Sequence, residues 1–170
     1  MTGSTLAEAA AEAESLAAAG DEKALATLRK QWDDELEMSA RSPDFRERAQ
    51  AYRAIAQFRF RQKIELLRRG LEDDSPACRG SALVALESLS RDHPGVANQV
   101  RPKLHSLANG DDNQAVRRLA IVCLKNASPQ PDTIRLLKGL SEDDEQDREL
   151  RDTARKVAEL LRKKSGAARS

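Results

Sequence analysis

Residues 111–127 read DDNQAVRRLAIVCLKNA, and this stretch decides the fold. Five of its apolar residues stand at offsets 0, 4, 7, 8 and 11 counted from Val116, a spacing that places them on one face of a helix. They are Val116, Ala120, Cys123, Leu124 and Ala127. The carboxylates of Asp111 and Asp112 come first, where they can cap a helix and suit its positive end. The stretch therefore predicts an amphipathic helix with one buried face.

The same pattern occurs in two further segments, residues 74–89 and 144–161. In all three copies an acidic pair stands at the start, an arginine follows the first apolar residue, and the apolar offsets are the same. The arginines are Arg79, Arg117 and Arg151, so neighbouring copies are 38 and 34 residues apart. A period of this size, with room for a helix pair in each copy, is typical of an α-solenoid.

Each copy has an acidic residue, then an apolar residue followed by arginine, then an alanine, then a small residue followed by an apolar one. This order resembles the second helix of HEAT-like (armadillo-type) repeats, over about residues 64–161. The resemblance implies an all-α, right-handed superhelix of helix pairs. It also implies that an Asp and an Arg tie neighbouring turns together, which here would pair Asp74 with Arg79, Asp112 with Arg117 and Asp144 with Arg151. The tetratricopeptide alternative has a suitable period, but its Trp-x-x-Leu-Gly-x-x-Tyr signature is absent from the sequence.

A degenerate first copy is predicted upstream. Phe45 and Arg46 stand 33 residues before Cys78 and Arg79, and the alignment continues at Ala49 and Tyr52 but fails beyond them. We expect a second helix over about residues 59–70. Because no Gly or Pro marks a break, one long helix over residues 43–69 is the alternative.

Three parts follow along the chain. Residues 1–40 are expected to form acidic helices that pack on the solenoid as an N-terminal cap. Residues 41–162 are expected to form the HEAT-like repeats, and residues 163–170 a polar, disordered tail. Trp32 is expected to anchor the core of the N-terminal helices.

The positions beside the apolar face distinguish the last copy. They are apolar in the two middle copies, Leu83–Val84 and Ile121–Val122, but charged in the last, Arg155–Lys156. A terminal repeat turns a polar flank to water, so the last copy is expected to be a C-terminal cap.

Composition narrows the classes of function. Charged residues make up 34 % of the chain, yet the net charge is only +1, which does not indicate a strongly basic nucleic-acid binder. The chain has no long apolar run and begins with an acidic segment, so we expect a cytoplasmic protein with no membrane partner. The richness in Ala and Arg is typical of a bacterial, GC-rich genome. The two cysteines, Cys78 and Cys123, occupy core positions and predict buried thiols.

Within each second helix, offsets 2 and 9 point away from the apolar face. In HEAT-like solenoids this side lines the concave surface, which here carries Arg118 and Lys125 beside acidic residues such as Glu87. A surface of mixed sign fits another protein better than a duplex. The first hypothesis is therefore an adaptor or scaffold that binds a protein or peptide, with Arg118, Lys125 and Glu87 as candidate contacts.

A nucleic-acid interface is the second hypothesis. Residues 41–69 are basic, and Arg46, Arg53, Arg59 and Arg61 alternate with Tyr52, Phe58 and Phe60. Arginines neutralise phosphates and aromatic rings stack on the bases of single-stranded RNA or DNA. The alternative interpretation is that the aromatic rings belong to the core and the arginines to its solvated face.

The sequence contains no recognisable catalytic or metal-binding motif. Neither His93, predicted in a turn, nor His105, predicted on a helix surface, joins a second ligand at metal-binding spacing, and no phosphate-cradling glycine loop occurs. We expect no enzyme, no metal and no cofactor. A lyase or enzyme subunit on a HEAT-like scaffold remains the third hypothesis.

Overall fold

The computed structural model describes residues 4–169, and within that range the chain is all helical, without a strand. The predicted all-α class is confirmed. In chain order the helices are α1 (Leu6–Ala18), α2 (Glu22–Ala40), α3 (Phe45–Gln57), α4 (Ile64–Gly70), α5 (Pro76–Asp92), α6 (Gly95–Gln99), α7 (Arg101–Gly110), α8 (Gln114–Leu124), α9 (Pro131–Glu142) and α10 (Arg148–Arg169).

The chain divides into two compact units, residues 1–89 and 90–170, with the boundary near the end of α5. In the first unit α1, α2 and α3 pack against one another. In the second, α7 packs against α8 and α9, and α10 packs against both α8 and α9. Trp32 is buried on α2, as expected of a core anchor. The division into residues 1–40, 41–162 and 163–170 stays a prediction.

The apolar pattern of the three predicted copies coincides with the buried face of α5, α8 and α10. Each residue at offsets 0, 4, 7, 8 and 11 is buried. These positions are Cys78, Ala82, Ala85, Leu86 and Leu89 in α5, Val116, Ala120, Cys123, Leu124 and Ala127 in and after α8, and Leu150, Ala154, Val157, Ala158 and Leu161 in α10. Small residues are frequent among them, which lets neighbouring helices approach closely.

The first copy has a different register from the one predicted. The repeat arginine is the fourth residue of α5, α8 and α10, and in α3 that position is held by Arg48, not Arg46. With Arg48 aligned to Arg79, the later offsets fall on buried residues: Ala51, Ala54, Ile55 and Phe58. Alignment on Phe45 misplaces the copy because the true anchor position carries the exposed, charged Glu47.

Of the two positions beside the apolar face, offsets 5 and 6, only offset 5 is consistently buried before the last copy. Offset 5 is buried in the first three copies, at Tyr52, Leu83 and Ile121, and is the exposed Arg155 in the last. Offset 6 does not follow the prediction, because Val84 is 46 % exposed. The change from apolar to charged residues therefore matters at one position of the helix, not two.

A Schellman motif separates α3 from α4, so residues 43–69 form two helices. Arg59 adopts a left-handed backbone with φ of 50°. Its N–H donates to the Ala56 carbonyl (2.9 Å), and the N–H of Phe60 donates to the Ile55 carbonyl (2.9 Å), which satisfies the last carbonyls of α3. The sequence hides this break because a glycine usually holds the left-handed position, as Gly20 does after α1.

The C-terminal residues are helical where the sequence predicts disorder. Helix α10 continues through residues 163–169, and only Ser170 lies outside the described range. Ala, Lys and Arg are strong helix formers, and extending a helix that packing has already fixed adds one hydrogen bond per residue. The Lys164 ammonium also donates to the Lys125 carbonyl at 2.6 Å.

The left-handed position gives a direct test of the α3–α4 break. Arg59→Gly is expected to be about 1 kcal/mol more stable than Arg59→Ala, because both variants lose the same side chain and only alanine keeps the left-handed strain. Urea unfolding measures the difference. At Gln50, inside α3, the glycine variant should instead be less stable than the alanine variant, since glycine weakens a helix interior. Equal stabilities at position 59 would contradict the motif.

Gly70 tests the close packing of α4 on its neighbours. A Cβ atom at this position would lie 2.9 Å from Ala82 Cβ and 3.1 Å from the Tyr52 ring. Gly70→Ala should therefore lower the free energy of unfolding by about 1–3 kcal/mol. Gly139→Ala, within α9 and with nothing within 4 Å, is the control and should raise it by about 0.5–1 kcal/mol. An equal gain at both positions would show that α4 does not pack as described.

Candidate functional site

A part-buried ion pair joins three segments of the first unit. Two guanidinium nitrogens of Arg48 each lie 2.9 Å from a carboxylate oxygen of Asp73, in a bidentate arrangement. The third nitrogen donates to the carbonyls of Ser42 (3.0 Å) and Pro43 (3.1 Å). Asp73 has a side chain only 7 % exposed and also accepts from the Ser75 N–H. Helix α3 is thus fastened to the α2–α3 loop and to the α4–α5 loop.

The environment of this pair shifts the pKa of each member. Burial disfavours the ionised Asp73 carboxylate, but the hydrogen bonds from Arg48 and the Ser75 N–H outweigh it, so the Asp73 pKa lies below its usual range. The same hydrogen bond raises the Arg48 pKa. Burial and the Asp73 charge raise the pKa of Tyr52 to about 12. Tyr52 therefore stays protonated and can donate to Asp73, at 3.3 Å.

Arg117 occupies the equivalent place in the second unit. It donates to the carbonyls of Ala108 (3.0 Å) and Asn109 (3.3 Å) at the end of α7. It also donates to the Gln146 side-chain oxygen (2.8 Å), and the Gln146 amide in turn donates to Asp143 at 2.9 Å. The HEAT-like resemblance implies a carboxylate partner for Arg117, and the structure provides an amide that a carboxylate holds in place.

The other two repeat arginines also turn toward the loop before their own helix. Arg79 donates to the backbone carbonyls of Asp73 (2.8 Å) and Asp74 (3.3 Å), so its contact with Asp74 runs through the backbone. Arg151 lies 3.5 Å from the Asp144 carboxylate, which is the pair implied by the resemblance. Both arginines thus connect their own helix to the loop that precedes it.

The predicted contacts of the adaptor hypothesis lie in different environments. Arg118, on α8, lies 3.7 Å from Asp147 and 3.6 Å from Glu149, so two carboxylates offset its charge. Lys125, at the C-terminal end of α8, is half-buried. Glu87 is only 9 % exposed and offers little surface. Their role as a partner site stays a prediction.

The four arginines of the nucleic-acid hypothesis are all exposed. Arg46 and Arg53 lie two turns apart on α3, whereas Arg59 and Arg61 follow the end of that helix. The interleaved aromatic residues are buried and cannot stack on bases: Tyr52, Phe58 and Phe60. The stretch therefore supplies exposed cations without the aromatic platforms that single-stranded nucleic acids use.

Helices α3 and α5 share a surface that combines exposed apolar and cationic groups. Phe45 on α3 is 44 % exposed, and Val84 on α5 is exposed to a similar extent. The Arg46 guanidinium lies 5.6 Å from the Phe45 ring centre, and Arg53 donates to the Ser81 hydroxyl at 2.9 Å. We call Phe45, Arg46, Arg53 and Val84 the α3–α5 face.

A separate pocket of about 290 Å³ lies within the first unit, between α2, α3 and α4. We call it the arginine pocket because three arginines line it, Arg41, Arg48 and Arg69. Its other lining residues are Ala40, Tyr52, Leu66 and Asp73. The sequence places these arginines in one basic stretch but does not show that they converge.

His105 lies in a polar cluster of the second unit, not on the helix surface predicted for it. Its Nε2 is 2.9 Å from the Thr133 hydroxyl, which also accepts from the buried Arg101 at 2.7 Å. Because that hydroxyl accepts from Arg101, its hydrogen can be donated to a neutral His105. Burial and the Arg101 charge lower the His105 pKa. The cluster joins α7 to α9.

Ligands for a metal do not converge in the part of the chain that the structure describes. No group of three or more His, Cys, Asp or Glu side chains could hold an ion in residues 4–169. Cys78 and Cys123 are both buried thiols. None of the helices in this range is long and apolar enough to cross a membrane.

Comparison with known proteins found neither a matching protein-family model nor a matching curated protein. The resemblance to HEAT-like repeats therefore depends on the repeated positions of this chain itself.

The Arg48–Asp73 pair predicts an acid-sensitive stability. Because the folded-state pKa of Asp73 is depressed, its contribution is complete above about pH 4 and is lost as the pH falls through the folded-state pKa. Asp73→Asn should cost about 3 kcal/mol at pH 6 and much less at pH 2.5. Urea unfolding at both pH values measures this, with the exposed Asp74→Asn as control. An equal cost at both pH values would contradict the assignment.

Proposed function

We propose that the chain is a protein-binding module of HEAT-like repeats that holds a partner protein on the α3–α5 face. The observation that supports this best is the exposure of two apolar side chains, Phe45 and Val84, on the same two helices that carry the exposed Arg46 and Arg53 and the Arg53–Ser81 hydrogen bond. Aromatic residues and arginines are enriched at the centres of protein interfaces, where a few such side chains contribute most of the binding free energy.

The chemistry of the face indicates what the partner presents. Arg53 is already held by the Ser81 hydroxyl, and Arg46 lies against the Phe45 ring, so less side-chain entropy is lost on binding. The two guanidinium groups favour carboxylates, and the exposed side chains of Phe45 and Val84 favour an apolar side chain. We therefore expect a partner segment in which acidic residues flank an apolar residue.

The four copies of the arginine-containing helix support the repeat arrangement. In a HEAT-like solenoid α3, α5, α8 and α10 would be the second helices and would line the concave surface. Arg118 and Lys125 are the candidate contacts on α8, but the carboxylates of Asp147 and Glu149 offset the charge of Arg118. The contacts on α3 and α5 would then dominate affinity.

Nucleic-acid binding is the second candidate. It is favoured by the exposure of Arg46, Arg53, Arg59 and Arg61. The burial of the neighbouring aromatic rings leaves only phosphate contacts, so this function would require affinity that falls steeply with salt.

Affinity capture from native lysate tests the proposal, with half of the sample treated with nuclease. Proteins captured by the wild type should be lost with the double variant Phe45→Ala/Arg53→Glu, because it removes the exposed ring and reverses a charge on the same face. They should survive nuclease treatment.

Arg162→Glu, an exposed charge reversal on α10, is the matched control and should capture the same proteins as the wild type. Unchanged capture by Phe45→Ala/Arg53→Glu would refute the face. Capture that disappears with nuclease, together with recovered nucleic acid, would favour the second candidate.

A further inference from the structure

The arginine pocket has an excess of positive charge among the residues that line it. Arg41, Arg48 and Arg69 face a single carboxylate, that of Asp73. Arg48 is neutralised by this carboxylate through the bidentate pair. No residue that lines the pocket neutralises Arg41 or Arg69.

Neighbouring carboxylates do not remove this excess. Arg41 lies 3.4 Å from Glu37, but Glu37 is shared with Lys63, whose ammonium is closer at 2.8 Å. Lys63 also pairs with Asp33. Arg69 forms no ion pair within residues 4–169. Across the whole network, four cations face three carboxylates, so at least one guanidinium is uncompensated.

The dipoles of the helices explain only part of this arrangement. Arg41 follows the last turn of α2 and Arg69 lies in the last turn of α4, where a cation interacts favourably with the helix C-terminus. Arginines that point away from one another would interact with the helix C-termini equally well. It does not require the two side chains and Arg48 to line the same cavity.

The hydrogen-bonding groups of the pocket are suited to an acceptor-only ligand. Guanidinium groups donate and cannot accept, and they match the oxygens of a phosphate in geometry as well as charge. The Asp73 oxygens, the one acidic group present, already accept from Arg48, Tyr52 and the Ser75 N–H. The lining residues carry three guanidinium groups and one carboxylate, and an anion with several oxygens, such as a phosphate, can accept from two guanidinium groups at once.

We propose that the arginine pocket binds a phosphate group, held by Arg41 and Arg69, either as free phosphate or as the phosphomonoester of a small molecule. A volume of about 290 Å³ accommodates one such group with a small substituent. The bound group would bridge the ends of α2 and α4. This site is distinct from the α3–α5 face and does not depend on the proposed function.

Titration by ¹H–¹⁵N NMR at constant ionic strength tests the proposal, with inorganic phosphate, O-phosphoserine and acetate as three separate probes. At least one phosphate probe should give saturable shifts that include the backbone amides of Arg41, Arg69 and Asp73. Arg41→Ala/Arg69→Ala, which removes two exposed side chains and leaves the Arg48–Asp73 pair intact, should weaken binding at least about tenfold. Arg46→Ala/Arg53→Ala removes the same charge outside the pocket and should bind as the wild type does.

The relative affinity of the two phosphate probes tells free phosphate from a phosphomonoester. Tighter binding of O-phosphoserine supports a small phosphorylated ligand, and tighter binding of inorganic phosphate supports the free ion. Three results would overturn the proposal. They are no saturable shift with either phosphate probe up to about 20 mM, equal affinity in Arg41→Ala/Arg69→Ala, or saturation by acetate alone.

Discussion

The structure depends on one constraint: the N–H groups of an arginine with little exposure to water need hydrogen-bond acceptors. Taking an arginine out of water is costly unless its donors are paired, and a planar fork with five N–H groups can be paired only by several segments at once. Arg48 meets this requirement with Asp73 and two loop carbonyls, and Arg117 with Gln146 and two carbonyls at the end of α7. One side chain thereby fixes its own helix, the segment before it and the loop before the next arginine-containing helix.

This constraint also determines which cations remain for binding. The arginine at the fourth position of each repeat helix contacts the segment before that helix. Its position in the sequence therefore does not indicate a binding surface. The cations available to ligands stand elsewhere on the same elements. Arg46 and Arg53 lie on the outer side of α3, and Arg41 and Arg69 line a pocket at the ends of α2 and α4.

Periodicity predicted the fold class and the buried faces of α5, α8 and α10, because apolar spacing directly reflects which side of a helix leaves water. It misplaced the first copy, since a charged residue, Glu47, holds the anchor position there; the alanines at 51 and 54 were the signal that could have corrected the register. Two helices were expected in residues 43–69, but the position of the α3–α4 break could not be read from the sequence, because arginine, not glycine, takes the left-handed position at 59. The arginine pocket depends on tertiary convergence, which spacing along the chain does not encode.

The most direct test of the buried brace is a double-mutant cycle between Arg48 and Asp73, using Arg48→Met, Asp73→Asn and the combined variant in urea unfolding at pH 7. A bidentate pair with little solvent exposure predicts a coupling energy of about 2–3 kcal/mol, with the double variant much less destabilised than the sum of the single variants. A coupling energy below about 0.5 kcal/mol would mean that the two side chains contribute independently, and the pair would not be the interaction that holds the unit together.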